Sequence, residues 1–64
     1  MKILVFTVRQ KAGMSLEMLA DKTGIAKITL DKIEKEIIPP RLNQLELIAN
    51  AIECEISDLF DEDI

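Results

Sequence analysis

Gly13, Gly24 and Pro39-Pro40 cut this chain into short segments, and those breaks constrain its fold more than any other feature. Proline cannot continue a helix from within, and glycine readily takes the left-handed conformation that ends one. Between the breaks the apolar residues recur at the helical period. Leu16, Leu19, Ala20 and Thr23 share a face behind Ser15, a good N-cap, with Glu17 in the positive first turn. Ala26, Leu30, Ile33 and Ile37 form a second stripe, and Leu42, Leu45, Ile48, Ala49 and Ile52 a third. The pattern predicts helices over 15–23, from Ala26 to about Glu36, and over 41–52. A shorter one from Ile56 to about Phe60 follows Cys54.

The first segment is less clear. Ile3-Leu4-Val5-Phe6-Thr7-Val8 has the β-branched content of a strand. A lone strand would have no partner in an otherwise helical chain, so residues 2–12 are expected to be helix. If Val5 and Val8 then face the core, Leu4 and Phe6 point outward. Exposed apolar groups that form a patch often mark a partner surface, with a second copy of the chain as the natural partner; the alternative is that these side chains complete the core or lie exposed without a partner. An N-terminal strand pairing with its own copy would also give a dimer.

With 64 residues, the expectation is one all-α domain, a compact bundle of four to five short helices over 1–64. Residues 61–64 are expected to be a frayed acidic tail. Cys54 is the only cysteine and there is no histidine, which excludes an internal disulfide and an ordinary zinc site. Cys54 reads as a small core residue, and Met14 and Met18 as gap fillers. With no histidine, tyrosine or glycine-rich phosphate loop, acid–base and nucleophilic chemistry has few candidates. The chain reads as a non-enzyme with no cofactor and no metal. Ile3 to Val8 is far too short to span a bilayer, and the single cysteine fits a cytoplasmic protein.

The central feature is two short helices joined by a tight turn: 15–23, Gly24-Ile25, then 26–36. That is the length and turn glycine of a helix-turn-helix. In such a unit the second helix lies in the major groove of double-stranded DNA. With Ala26, Leu30 and Ile33 inward, its opposite face carries Lys27, Ile28, Asp31, Lys32 and Lys35, with Thr29 at the border. The lysines can meet phosphates or guanine acceptors, and Ile28 a thymine methyl. Asp31 reads as an i, i+4 partner of Lys27 or Lys35, or as an acceptor from cytosine. Arg41 and Asn43, opening the next helix, are candidate phosphate donors. Net charge is −4, which argues against nucleic acid until its distribution is seen. From Glu46 onward every charged residue is acidic, and the excess positive charge lies before it.

The stretch VRQKAGMSLEMLADKTGIAKITLDKIEKEIIPPRLNQLELIANAIECEISDLF resembles the Cro/Xre-type helix-turn-helix family of phage repressors and small bacterial regulators. Ser15 with Leu19-Ala20, Gly24-Ile25, Pro40 with Leu42, and the closing IECEISDLF carry the likeness over residues 8–60. The resemblance implies a lambda repressor-like DNA-binding domain acting in transcription regulation. It also implies a structural ion pair between Arg9 and Glu34. Three positions depart from the family pattern. Leu16 stands where a phosphate-holding glutamine is common, Ala26 where serine opens the recognition helix, and Glu36 where glycine is usual. The leading expectation is a sequence-specific DNA-binding regulator, as a homodimer placing two recognition helices about 34 Å apart. The rival is a protein-interaction or antitoxin-like module of the same fold, whose protein partner completes a weak DNA site.

Overall fold

The computed structural model describes residues 2–61. A two-residue strand, β1 (Lys2–Ile3), leads into α1 (Val5–Lys11), α2 (Leu16–Thr23), α3 (Lys27–Glu34) and α4 (Leu42–Ile52). A single 3₁₀ turn, Ile56–Leu59, then passes into β2 (Phe60–Asp61). β2 pairs antiparallel with β1, Lys2 opposite Asp61 and Ile3 opposite Phe60.

Each helix end has a local cause. The Ser15 hydroxyl accepts from the Met18 N–H at 3.1 Å and starts α2. Gly24, at φ 77°, ends it in the left-handed conformation, its N–H bonded to the Ala20 carbonyl. The buried Thr23 hydroxyl donates to the Leu19 carbonyl at 2.8 Å and accepts from the Ile25 N–H at 3.1 Å. One side chain thus joins the end of α2 to the turn before α3. At the start of α4 the Gln44 side chain accepts from the Arg41 N–H at 2.9 Å. Glu53, at φ 64°, ends that helix without a glycine.

The core gathers Val5 from α1, Leu19 from α2, Leu30 from α3, Leu45, Ile48 and Ala49 from α4, and Leu59 from the 3₁₀ turn. Ile33 is also fully buried. α2 packs against both α3 and α4, so the helix-turn-helix pair rests on the rest of the bundle. Burying aliphatic groups is the main stabilising contribution here, at roughly 1.5–3 kcal/mol for each large side chain.

Several expectations need correcting. Residues 2–12 are not one helix. Lys2–Ile3 is strand, because Phe60–Asp61 supplies the partner that the helical pattern seemed to deny it. Leu4 is therefore half-buried rather than outward, and its N–H donates to the Leu59 carbonyl at 2.8 Å. Phe6 does reach the surface, at half exposure. The last apolar segment ends in β2 rather than helix, and Asp61 is in the ladder rather than in a frayed tail. The rest of that tail, 62–64, lies outside the described residues.

The inward stripes were also overextended at their ends. Ala26 is exposed as the N-cap residue of α3. Ile37 is exposed because α3 ends at Glu34 and Glu36 turns the chain at φ 58°. Leu42 is exposed in the first turn of α4, and Met18 fills no internal gap.

Candidate nucleic-acid interface

Burial of Leu30 and Ile33 fixes the rotation of α3 and turns its opposite side to solvent. Lys27, Ile28, Lys32 and Lys35 are exposed, and Thr29 and Asp31 are half-exposed at the borders. The helical period sets two rows on this side. Lys27, Asp31 and Lys35 follow one another at i, i+4, i+8, with Ile28 and Lys32 beside them at i, i+4. The first helical position is Lys27, and no side chain caps the α3 N-terminus. Arg41 and Asn43 are exposed at the start of α4.

The electrostatics of the face are less positive than its lysines suggest. Lys27 Nζ lies 3.3 Å from Glu17 Oε1 across the helix-turn-helix, and Lys35 Nζ lies 3.1 Å from Asp31 Oδ2. For Lys32 no carboxylate among the described residues stands within ion-pair distance. The Asp31–Lys35 pair follows from i, i+4 spacing. The Glu17–Lys27 pair was not anticipated. The two residues lie on different helices, ten positions apart, and become neighbours only once the turn brings α2 against α3.

Helix α3 is tied to the rest of the bundle by Arg9. Its Nε donates to Glu34 Oε2 at 2.7 Å and its Nη2 to Glu34 Oε1 at 3.0 Å, a two-pronged pair with both side chains over nine-tenths buried. Nη1 donates to the Met14 carbonyl at 2.9 Å, and the guanidinium carbon lies 5.1 Å from the centre of the Phe6 ring. The hydrogen bond to Glu34 pushes the Arg9 pKa above its ordinary value, against the opposing effect of burial. One arginine thereby links α1, the loop before α2 and the end of α3.

The departures from the family pattern have structural consequences. Leu16, in place of a polar residue, is half-buried and packs against the core. Glu36 sits in the left-handed conformation that explains why glycine suits this position, and its carboxylate accepts from the Ile3 N–H at 3.1 Å. The acid is thus engaged with the N-terminal strand. Cys54 is half-buried. Burial first, and the Asp58 and Glu55 carboxylates second, push its thiol pKa up, which disfavours the reactive thiolate.

A four-helix bundle whose second and third helices meet at a glycine turn, with the outer side of the third exposed, defines a helix-turn-helix DNA-binding domain. The helix-turn-helix family model matches residues 6–59, nearly the whole chain, and the chain belongs to this Cro/C1-type family of DNA-binding domains. No curated protein matches it. Among the described residues no helix is long and apolar enough to cross a membrane.

Proposed function

We propose that the chain is a sequence-specific, dimeric, cytoplasmic transcriptional regulator that sets α3 into the major groove of double-stranded DNA. The observation that carries this reading is the exposure of Lys27, Ile28, Lys32 and Lys35 opposite the buried Leu30 and Ile33. Thr29 and Asp31 flank the base-reading row, and Arg41 and Asn43 hold phosphate from the start of α4. Two copies related by a two-fold axis place their α3 helices about one duplex turn apart.

The experiment is selection of bound fragments from random duplex DNA, followed by salt titrations of Lys27→Ala and Lys32→Ala. Each lysine that neutralises a phosphate contributes about 0.9 to the slope of log K against log salt. The expected outcome is weaker binding and a shallower slope, with an unchanged circular-dichroism melt. If both variants bind as wild type does, the interface is misplaced.

A second reading is favoured by the ion pairs of Lys27 and Lys35, which reduce the free positive charge of the face. In it the domain is an interaction or antitoxin-like module whose protein partner completes DNA binding. Gel shifts on genomic fragments, with the chain alone and with its co-purified partner, separate the two.

A further inference from the structure

The chemistry of the α3 face points to what it reads in DNA. We infer that Ile28 is the specificity-determining residue and that it recognises the 5-methyl group of a thymine; this rests on the DNA-binding reading above.

Helix α3 carries no arginine, asparagine or glutamine. It therefore lacks the planar arginine fork and the asparagine and glutamine amides that pair with guanine and adenine edges, and leaves lysine as its only donor to guanine. Lys27 and Lys35 lie against Glu17 and Asp31, and Asp31 is the acceptor for Lys35. Both pairs compete for groups that could otherwise address bases. Two residues of the exposed rows are left: Lys32, a flexible point charge, and Ile28.

Ile28 has the geometry of a reader. It is the second residue of α3, in the N-terminal turn that enters the groove in a helix-turn-helix. At about 100° per residue it sits almost diametrically opposite the midpoint of Leu30 and Ile33, so it is the outermost side chain of the helix. It is 65% exposed. An isoleucine there makes no hydrogen bond to a base, and the major-groove feature that matches it is the thymine methyl. Lys32, one turn further along the same row, can address a neighbouring guanine or phosphate.

The test uses the 64-residue chain and its best selected duplex. Each thymine is replaced in turn by deoxyuridine, which removes only the methyl. Binding is measured by fluorescence anisotropy at fixed salt, for wild type and for Ile28→Ala. The expected result is one position per half-site at which uracil weakens wild type about fourfold, the worth of one buried methyl-sized group. Ile28→Ala should bind the thymine duplex more weakly and lose nothing further at that uracil. Because Ile28 is exposed, the variant should melt as wild type does. If no uracil weakens binding, or if uracil costs the variant as much as wild type, the assignment of Ile28 is overturned while DNA binding stands. If selection enriches no duplex at all, the DNA-binding reading fails and the assignment of Ile28 falls with it.

Discussion

At the scale of single residues, Arg9 and Glu34 bear the most structural weight. Both are ionised groups placed at the edge of a small aliphatic core, and each satisfies the other. Removing one partner strands the other in a poorly solvated site, at a cost of about 3–5 kcal/mol. That is most of the stability a domain of this size possesses. Arg9→Met and Glu34→Leu are therefore each expected to lower the thermal midpoint sharply or to unfold the chain. The double variant, which leaves no orphan charge, should recover much of the loss. A double variant no more stable than either single one would show that the pair does not act as a unit. Spacing alone could not have joined these residues, which are 25 positions apart; the resemblance to a family did so. The exposed side of α3, by contrast, was legible from the buried stripe, since fixing Leu30 and Ile33 inward fixes Ile28 and Lys32 outward. The Glu17–Lys27 contact was not legible, because it depends on how two helices sit together.

At the scale of elements, the ends of α2 and α4 pose the same backbone problem with different residues. Both helices finish in the left-handed region, α2 with Gly24 at φ 77° and α4 with Glu53 at φ 64°. A side chain in that region costs about 1–2 kcal/mol. Glu53 is also an acid at the negative end of a helix, which adds a smaller unfavourable contribution. Glu53→Gly is expected to stabilise the domain by about 0.5–1 kcal/mol, after the greater freedom of glycine in the unfolded chain is counted. For this size that is a rise of a few degrees in thermal midpoint. Gly24→Ala should do the reverse. No atom lies within 4 Å of the new methyl group, so the loss would be conformational rather than steric. Melting curves of the two variants check both signs, and a shift of the same sign in both would contradict the account. These ends also show where sequence periodicity stops informing. The helices themselves, α2 to α4, follow from stripes and caps, which are local. Ile37 and Leu42 satisfy the stripes and yet lie exposed, because one follows the end of α3 and the other sits in the overhanging first turn of α4. β1 and β2 were illegible because each has two residues and they meet from opposite ends of the described chain.

At the scale of the whole molecule, charge is sorted along the chain. From Glu46 onward every charged residue is acidic, while Lys27, Lys32, Lys35 and Arg41 all precede it. An acidic protein approaches a phosphate backbone most readily with its basic residues foremost. The sorting is incomplete at the interface itself, because Glu17 stands beside Lys27 in the first turn of α2. Both side chains are mostly exposed, so their pairing contributes little to folding. On the proposed DNA-binding face its larger effect would fall on binding: a duplex phosphate approaching Lys27 would compete with Glu17 and also meet its negative charge. Replacing that charge by an amide removes both oppositions without altering shape. Glu17→Gln is therefore expected to melt within about 1 kcal/mol of wild type. It should also bind the selected duplex about two- to fivefold more tightly at low salt, the range that an exposed ion pair spans. The advantage should shrink as salt rises toward 1 M, where the screening length falls to about 3 Å. Lys27→Ala, in contrast, should gain only the relief of phosphate repulsion from the same change, so Glu17→Gln should tighten binding less in the Lys27→Ala background than in wild type. Anisotropy titrations of the four proteins at two salt concentrations give the coupling directly. Equal affinity of Glu17→Gln and wild type at low salt would mean that Glu17 does not restrain Lys27 and that the pair has no part in setting DNA affinity.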